Sequence, residues 1–155
     1  ASDSVLLEMG ACIHRYSTAS MRTAAIKPVP DLARQMSEGC ITSLNTVIQN
    51  MKPGAVGDEI AKKADAAWSE ISTRLVWHGY YAYSLGLGFP PDWNDCPALI
   101  RKESDLVLKP GMVFHVTTSL REVGMCGTAC SETVLITEKG PEVLTQIPRE
   151  LKVAE

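Results

Sequence analysis

The run from Val5 to Ile13, VLLEMGACI, is apolar except for Glu8, and it predicts a strand. Tyr16 to Thr23 predicts a second extended stretch, and the KPVP of Lys27 to Pro30 breaks the pattern. From Asp31 to Met51 the residues Leu32, Met36, Cys40, Leu44, Val47, Ile48 and Met51 recur at helical spacing. Asp31 is the expected N-cap, and the KPG of Lys52 to Gly54 is the stop. A second helix is predicted from about Gly57 to Leu75. Ile60, Ala64, Ala67, Trp68, Ile71 and Leu75 lie on one of its faces, and Asp58 and Glu59 favour its first turn through the helix dipole.

Gly79 to Pro97 is rich in Gly, Tyr and Pro and reads as loop, with a short strand at YAYSLG. KPGMVFHVTTSL is a turn followed by a strand, and SETVLITEKGPEVLT is two strands joined at Lys-Gly. A strand, two antiparallel helices and then several strands make an α+β domain, with helices packed on one face of a mostly antiparallel sheet.

The 155 residues fit one domain, 1–155, and suffice for a real core. A net charge of −3, with no basic stripe interleaved with aromatics, argues against nucleic acid or an anionic membrane as partner. The start ASDSVLLEMG lacks the basic flank and long apolar core of a signal peptide, and no apolar run is long enough to span a bilayer. The five cysteines, Cys12, Cys40, Cys96, Cys126 and Cys130, are odd in number and scattered. Cys126 and Cys130 have no second pair at zinc spacing, so reduced thiols and a cytoplasmic location are expected. A strand this near the start, with no helix before it, suggests a trimmed or cleaved piece of a longer chain, with a short independent domain as the alternative.

Three segments in register resemble the pita-bread family of methionine aminopeptidase, aminopeptidase P, prolidase and creatinase. VLLEMGACIHRYSTASMRT is similar to the family's strand with a Thr-Arg-Thr tail, and YSLGLGF to its Gly-His-Gly-Ile-Gly segment. LKPGMVFHVTT with SETVLITEKGPEVLT is similar to its Leu-Pro-Gly-Met-Val strand and closing hairpin. The resemblance implies the C-terminal portion of the pita-bread catalytic domain, without its upstream half or any N-terminal domain.

The family's metallopeptidases hold two metal ions with two aspartates, a histidine and two glutamates. At those positions this chain carries Glu8, Ala19, Tyr83, Thr117 and either Ser131 or, with a one-residue slip, Glu132. The second histidine position is Pro90. His14, His78 and His115 do not replace the set at ligand spacing, so neither a metal nor another cofactor is expected.

GFPPDWND, VFHV and the ending SETVLITEKG…LTQIPREL look most like the metal-free branch of ectoine hydrolase and creatinase. That implies hydrolysis of a C–N bond in a small cationic or cyclic amidine or amide. Ala82 and the Asn-Asp-Cys-Pro after Trp93 depart from that branch and leave the substrate open.

Glu8, in an apolar strand where desolvation would act on it, is the candidate catalytic base or nucleophile; otherwise it is a partly exposed strand glutamate. Glu132 is the candidate second carboxylate or a surface residue. Trp93 stacks on a bound cation or anchors its loop. Asp92 and Asp95 contact a cationic substrate or make turn hydrogen bonds. Tyr83 donates to developing charge or packs in the sheet, and His115 is a substrate contact or a satisfied structural histidine.

Two other readings remain. One is a catalytically inactive module that binds peptides or proteins, as in certain histone chaperones. The other is an Xaa-Pro metallopeptidase with degenerate ligands. A half-covered sheet also predicts a homodimer or association with the missing portion of the chain.

Overall fold

The computed structural model describes residues 3–72, 74–89 and 98–155. Its elements are β1 (Ser4–Ile13), β2 (Tyr16–Ile26), α1 (Asp31–Asn50), α2 (Gly57–Asp65), β3 (Leu75–Val76) and β4 (Ala82–Leu85). They continue with β5 (Leu99–Ile100), β6 (Val113–Glu122), β7 (Cys126–Thr137), β8 (Gly140–Val143) and β9 (Lys152–Ala154). One sheet has the order β1-β2-β9; the other has the order β5-β4-β6-β7-β8, with β3 also on β6. Every ladder is antiparallel except β2 with β9, so the expected α+β arrangement is observed.

α1 buries Met36, Cys40, Leu44 and Val47 against Phe114, Val116, Leu120, Cys130 and Val134, and α2 adds Ile60, Ala61 and Ala64. Each large apolar side chain buried here is worth about 1.5–3 kcal/mol, and this sum fixes the sheet on which the site is built. Gly39 permits the close approach between α1 and the turns after α2. A Cβ there would lie 2.6 Å from Ile71 Cδ1 and 3.3 Å from Trp68 Cβ.

Several boundaries differ from expectation. α2 ends at Asp65 instead of Leu75. Past it most backbone hydrogen bonds reach only three residues back, from Ala67 N to Ala64 O, Trp68 N to Asp65 O and Ile71 N to Trp68 O, while Ser69 N still reaches Asp65 O. Tertiary contacts set that change. Asp65 receives Tyr81 Oη and Lys102, and Trp68 Nε1 donates to the same Tyr81 oxygen at 3.0 Å. Trp68 and Ile71 still pack on the core, so their helical spacing survives without a helix.

Asp31 is the first helical residue instead of the N-cap, a position held by Pro30, and it meets the helix dipole from inside the first turn. β2 runs past Thr23 to Ile26, where β9 supplies its parallel neighbour. β7 begins at Cys126, earlier than Ser131, because it pairs with β6 from Cys126 to Leu135.

β1 is the edge strand of its sheet and is exposed from Val5 to Ile13, with Ile13 72% accessible. The described cysteines Cys12, Cys40, Cys126 and Cys130 are free thiols, and burial pushes Cys40 up to about 12. No described helix is long and apolar enough to cross a membrane.

Candidate functional site

Strand alternation divides β6 and β7 into two faces. Phe114, Val116 and Leu120, with Cys130 and Val134, point toward the helices and belong to the core. His115 and Thr117 lie on the opposite face with their cross-strand neighbours Thr133 and Ser131, and Tyr83 of β4 pairs directly with His115. On that face His115 Nδ1 lies 2.7 Å from Tyr83 Oη, and its Nε2 lies 2.7 Å from Ser131 Oγ. Ser131 Oγ also accepts from Met21 N at 2.6 Å, which ties the chain of bonds to β2.

His115 is fully buried, and burial pushes it down to about 4, so the ring is neutral at neutral pH. A neutral imidazole carries one N–H, so one of its two partners donates to it while the other accepts. Burial also raises the Tyr83 phenol well above its ordinary value, with Tyr80 and Glu8 adding to the shift.

β2 meets β7 through side chains instead of a ladder. Besides Ser131, Thr133 Oγ1 donates to Ala19 O at 3.0 Å, and Thr23 Oγ1 donates to Ala129 O at 2.9 Å while accepting from Ala129 N at 2.8 Å. This junction brings β1 to the site. Glu8 pairs with Met21, whose sulfur lies 3.4 Å from Thr117 Oγ1. Glu8 itself is exposed, as its alternative reading as a strand glutamate had it and without the desolvation considered for it, because the apolar strand that carries it is uncovered.

Glu132 is only 1% accessible and is not on this face. It shares the helix-facing side with Cys130 and Val134, so neither the surface position nor a place beside Glu8 is what the structure gives it. Its Oε1 accepts from Arg22 Nη2 at 2.8 Å and from Arg149 Nε at 2.7 Å. Arg22 also donates to Ser131 O at 2.6 Å, Met21 O at 2.7 Å, Ile147 O at 2.6 Å and Pro148 O at 2.9 Å. Glu132 and Arg22 therefore hold the backbone beneath Ser131 and Met21.

The structure thus brings Tyr83, His115 and Ser131 together, with Glu8 nearby, and sets Glu132 apart. Trp93, Asp92, Asp95 and Pro90 lie outside the described residues. The loop leading to them is clamped on the β1–β2 turn, where His14 and Arg15 both take positive φ, as a tight two-residue hairpin requires. Gly88 N donates to Arg15 O at 2.8 Å, and the Arg15 guanidinium sits 4.7 Å over the Phe89 ring. A cavity of about 830 Å³ opens beside Met9, Ala11, Ile13, Tyr16, Val113 and Leu144; Glu8, Tyr83, His115 and Ser131 do not line it.

The sequence reading gave Arg22 no role, although an arginine inside a strand of small and apolar residues signals a buried ionic partner. The last ligand position stood open between Ser131 and, with a one-residue slip, Glu132, and strand alternation puts these two on opposite faces. The donor set does not fit a pair of hard divalent cations. Ala19 offers no ligand atom, Tyr83 and Ser131 are bonded to His115, and Glu8 is the one carboxylate among the five positions. No described cluster of three His, Cys, Asp or Glu side chains is arranged to hold a metal.

Residues 1–138 match the metallopeptidase family M24. The Xaa-Pro dipeptidase of Pyrococcus furiosus is 29% identical over 149 residues, which are 96% of this chain and 41% of that protein. The ectoine hydrolase of Halomonas elongata is 27% identical over 151 residues, 97% of this chain and 37% of that protein. The chain therefore spans about two fifths of either relative. The crystal structure of X-Pro aminopeptidase from Thermotoga maritima superimposes with a TM-score of 0.85 at 21% identity, over 99% of this chain and 42% of that one. The matched residues and the shared architecture lead to one assignment: this chain belongs to metallopeptidase family M24 and has its pita-bread fold.

Proposed function

We propose that this domain serves a metal-independent hydrolase that opens a C–N bond in a small cationic or cyclic amidine or amide. The carrying observation is His115, which joins Tyr83 and Ser131, two of the positions that resemble metal ligands, into one hydrogen-bonded chain. The similarity to an ectoine hydrolase supports the substrate class.

In this reading Glu8 takes a proton from water as the water oxygen bonds to the amidine carbon. The C–N bond then breaks, and Glu8 returns the proton to the leaving nitrogen. Tyr83, backed by neutral His115, donates toward the charge that develops on the substrate. Glu132 is a positioning residue, acting through Arg22 on the Ser131 backbone. Trp93 and Asp92 contribute a stacking wall and a contact to the cation. The exposed β1 strand supports association with a second copy or with further chain, in a cytoplasmic protein.

The test is turnover of ectoine and creatine by the full natural chain with EDTA present. Chelator-resistant turnover that falls about 100-fold or more in Glu8→Gln is expected. Turnover abolished by EDTA and restored by manganese would replace this reading with the metallopeptidase one.

A further inference from the structure

The face that carries His115 has a second end, to which the chemistry above gives no task. Arg121 lies on β6 with His115 and Thr117, about 13 Å along the strand from Thr117, and its side chain is exposed. Arg121 Nη2 donates to His78 Nε2 at 3.2 Å. A guanidinium has no acceptor, so this contact fixes the His78 proton on Nδ1. His78 stacks on Tyr80 at 5.5 Å between centroids, and Tyr80 meets Tyr83 edge-on at 5.9 Å. A continuous aromatic wall therefore runs from Arg121 to the His115 centre.

β1 follows the same course. Ser4 Oγ donates to the carbonyl of Gly127, the cross-strand neighbour of Arg121, at 2.8 Å. Glu8 is on the same side of β1 as Ser4, opposite the Met21 that touches Thr117. Two opposite charges thus stand toward the two ends of one wall. The rings between them register both. Burial and Arg121 lower His78 while Glu8 opposes, and burial and Glu8 raise Tyr80 while Arg121 opposes.

We propose that this wall binds a small zwitterion, with its cationic head on Glu8 and the aromatic faces and its carboxylate on Arg121. The orientation matches each charge to its opposite, and a planar guanidinium suits a carboxylate through two parallel N–H donors. His78 holds the fork in place, so Arg121 selects amidines that carry an acid over those that do not. This inference deepens the hydrolase reading and takes from it only the nature of the cationic head.

The experiment is calorimetric titration of the full natural chain with matched pairs: creatine against N-methylguanidine, and ectoine against ectoine carboxamide. The acid of each pair should bind roughly tenfold or more tightly, the scale of hydrogen bonds to a charged group. Arg121→Gln should remove that preference without changing the melting temperature, and Arg121→Lys should keep part of it. Equal affinity within the pairs, a variant that weakens both members alike, or no binding of any probe would overturn the proposal. Preference for the acid with no turnover would leave it standing while the hydrolase reading fails. Turnover that ignores the carboxylate would do the reverse.

Discussion

The two faces of β6 and β7 are both buried, yet they are filled by opposite means. Toward the helices, Phe114, Val116, Leu120 and Val134 are held by close packing. On the other side His115, Thr117, Ser131 and Thr133 are also buried, and hydrogen bonds do much of the holding. A packed face loses stability in proportion to the volume removed, whereas a bonded face depends on each partner being present. The second kind of face can be rebuilt for new chemistry by a few substitutions without disturbing the first.

The sharpest break in this contrast should come where an ionic group enters the packed side. Arg22→Leu leaves buried Glu132 with Arg149 alone and removes the support under Ser131, and about 3–5 kcal/mol of unfolding free energy should be lost. Urea denaturation checks this, and the double variant Arg22→Leu/Glu132→Leu should recover at least half of it. A single-variant loss below about 1 kcal/mol would show that the arginine is dispensable.

The bonded face should next reveal itself through pH. His115 is depressed in the folded chain from 6.5 to about 4, so its contribution is fully present above pH 6.5 and declines as acid protonates the unfolded chain first. About 3 kcal/mol should disappear between pH 6.5 and 4, and His115→Gln should flatten that part of the profile. An unchanged profile in the variant would assign the acid sensitivity elsewhere.

The smallest expected effect separates the two carboxylates. Glu8→Gln, on an exposed strand, should leave stability within about 0.5 kcal/mol while activity falls. A destabilisation well beyond that would make Glu8 a structural residue.

How much of this was readable in the chain depends on the range of the forces involved. α1 was legible because its apolar stripe, its preceding proline and its KPG stop all act locally. The end of α2 was not, since Tyr81 and Lys102 reach Asp65 from distant parts of the sequence. β9 is three residues long and exists as a strand through β2, so nothing within KVA announces it. At the site, Tyr83 was a candidate through the family resemblance and His115 through its place in the VFHV strand. Their bond to each other needed the β4–β6 register, and the choice of Ser131 over Glu132 needed the β6–β7 register, where one residue exchanges the faces. Arg22 was visible all along in SMRT, but only its buried partner gives it meaning.

The fastening of Phe89 and Ala98, the described residues on either side of 90–97, has a consequence for how the domain can be altered. On one side Phe89 is stacked under Arg15 at the hairpin tip; on the other, Ala98 and Ser84 exchange two hydrogen bonds of 2.9 Å. Phe89 is thus fastened to the β1–β2 turn and Ala98 to β4. Any sequence placed between Phe89 and Ala98 therefore enters and leaves the domain at two fixed points, so exchanges there are expected to leave the β1–β2 and β4–β6 ladders as they are.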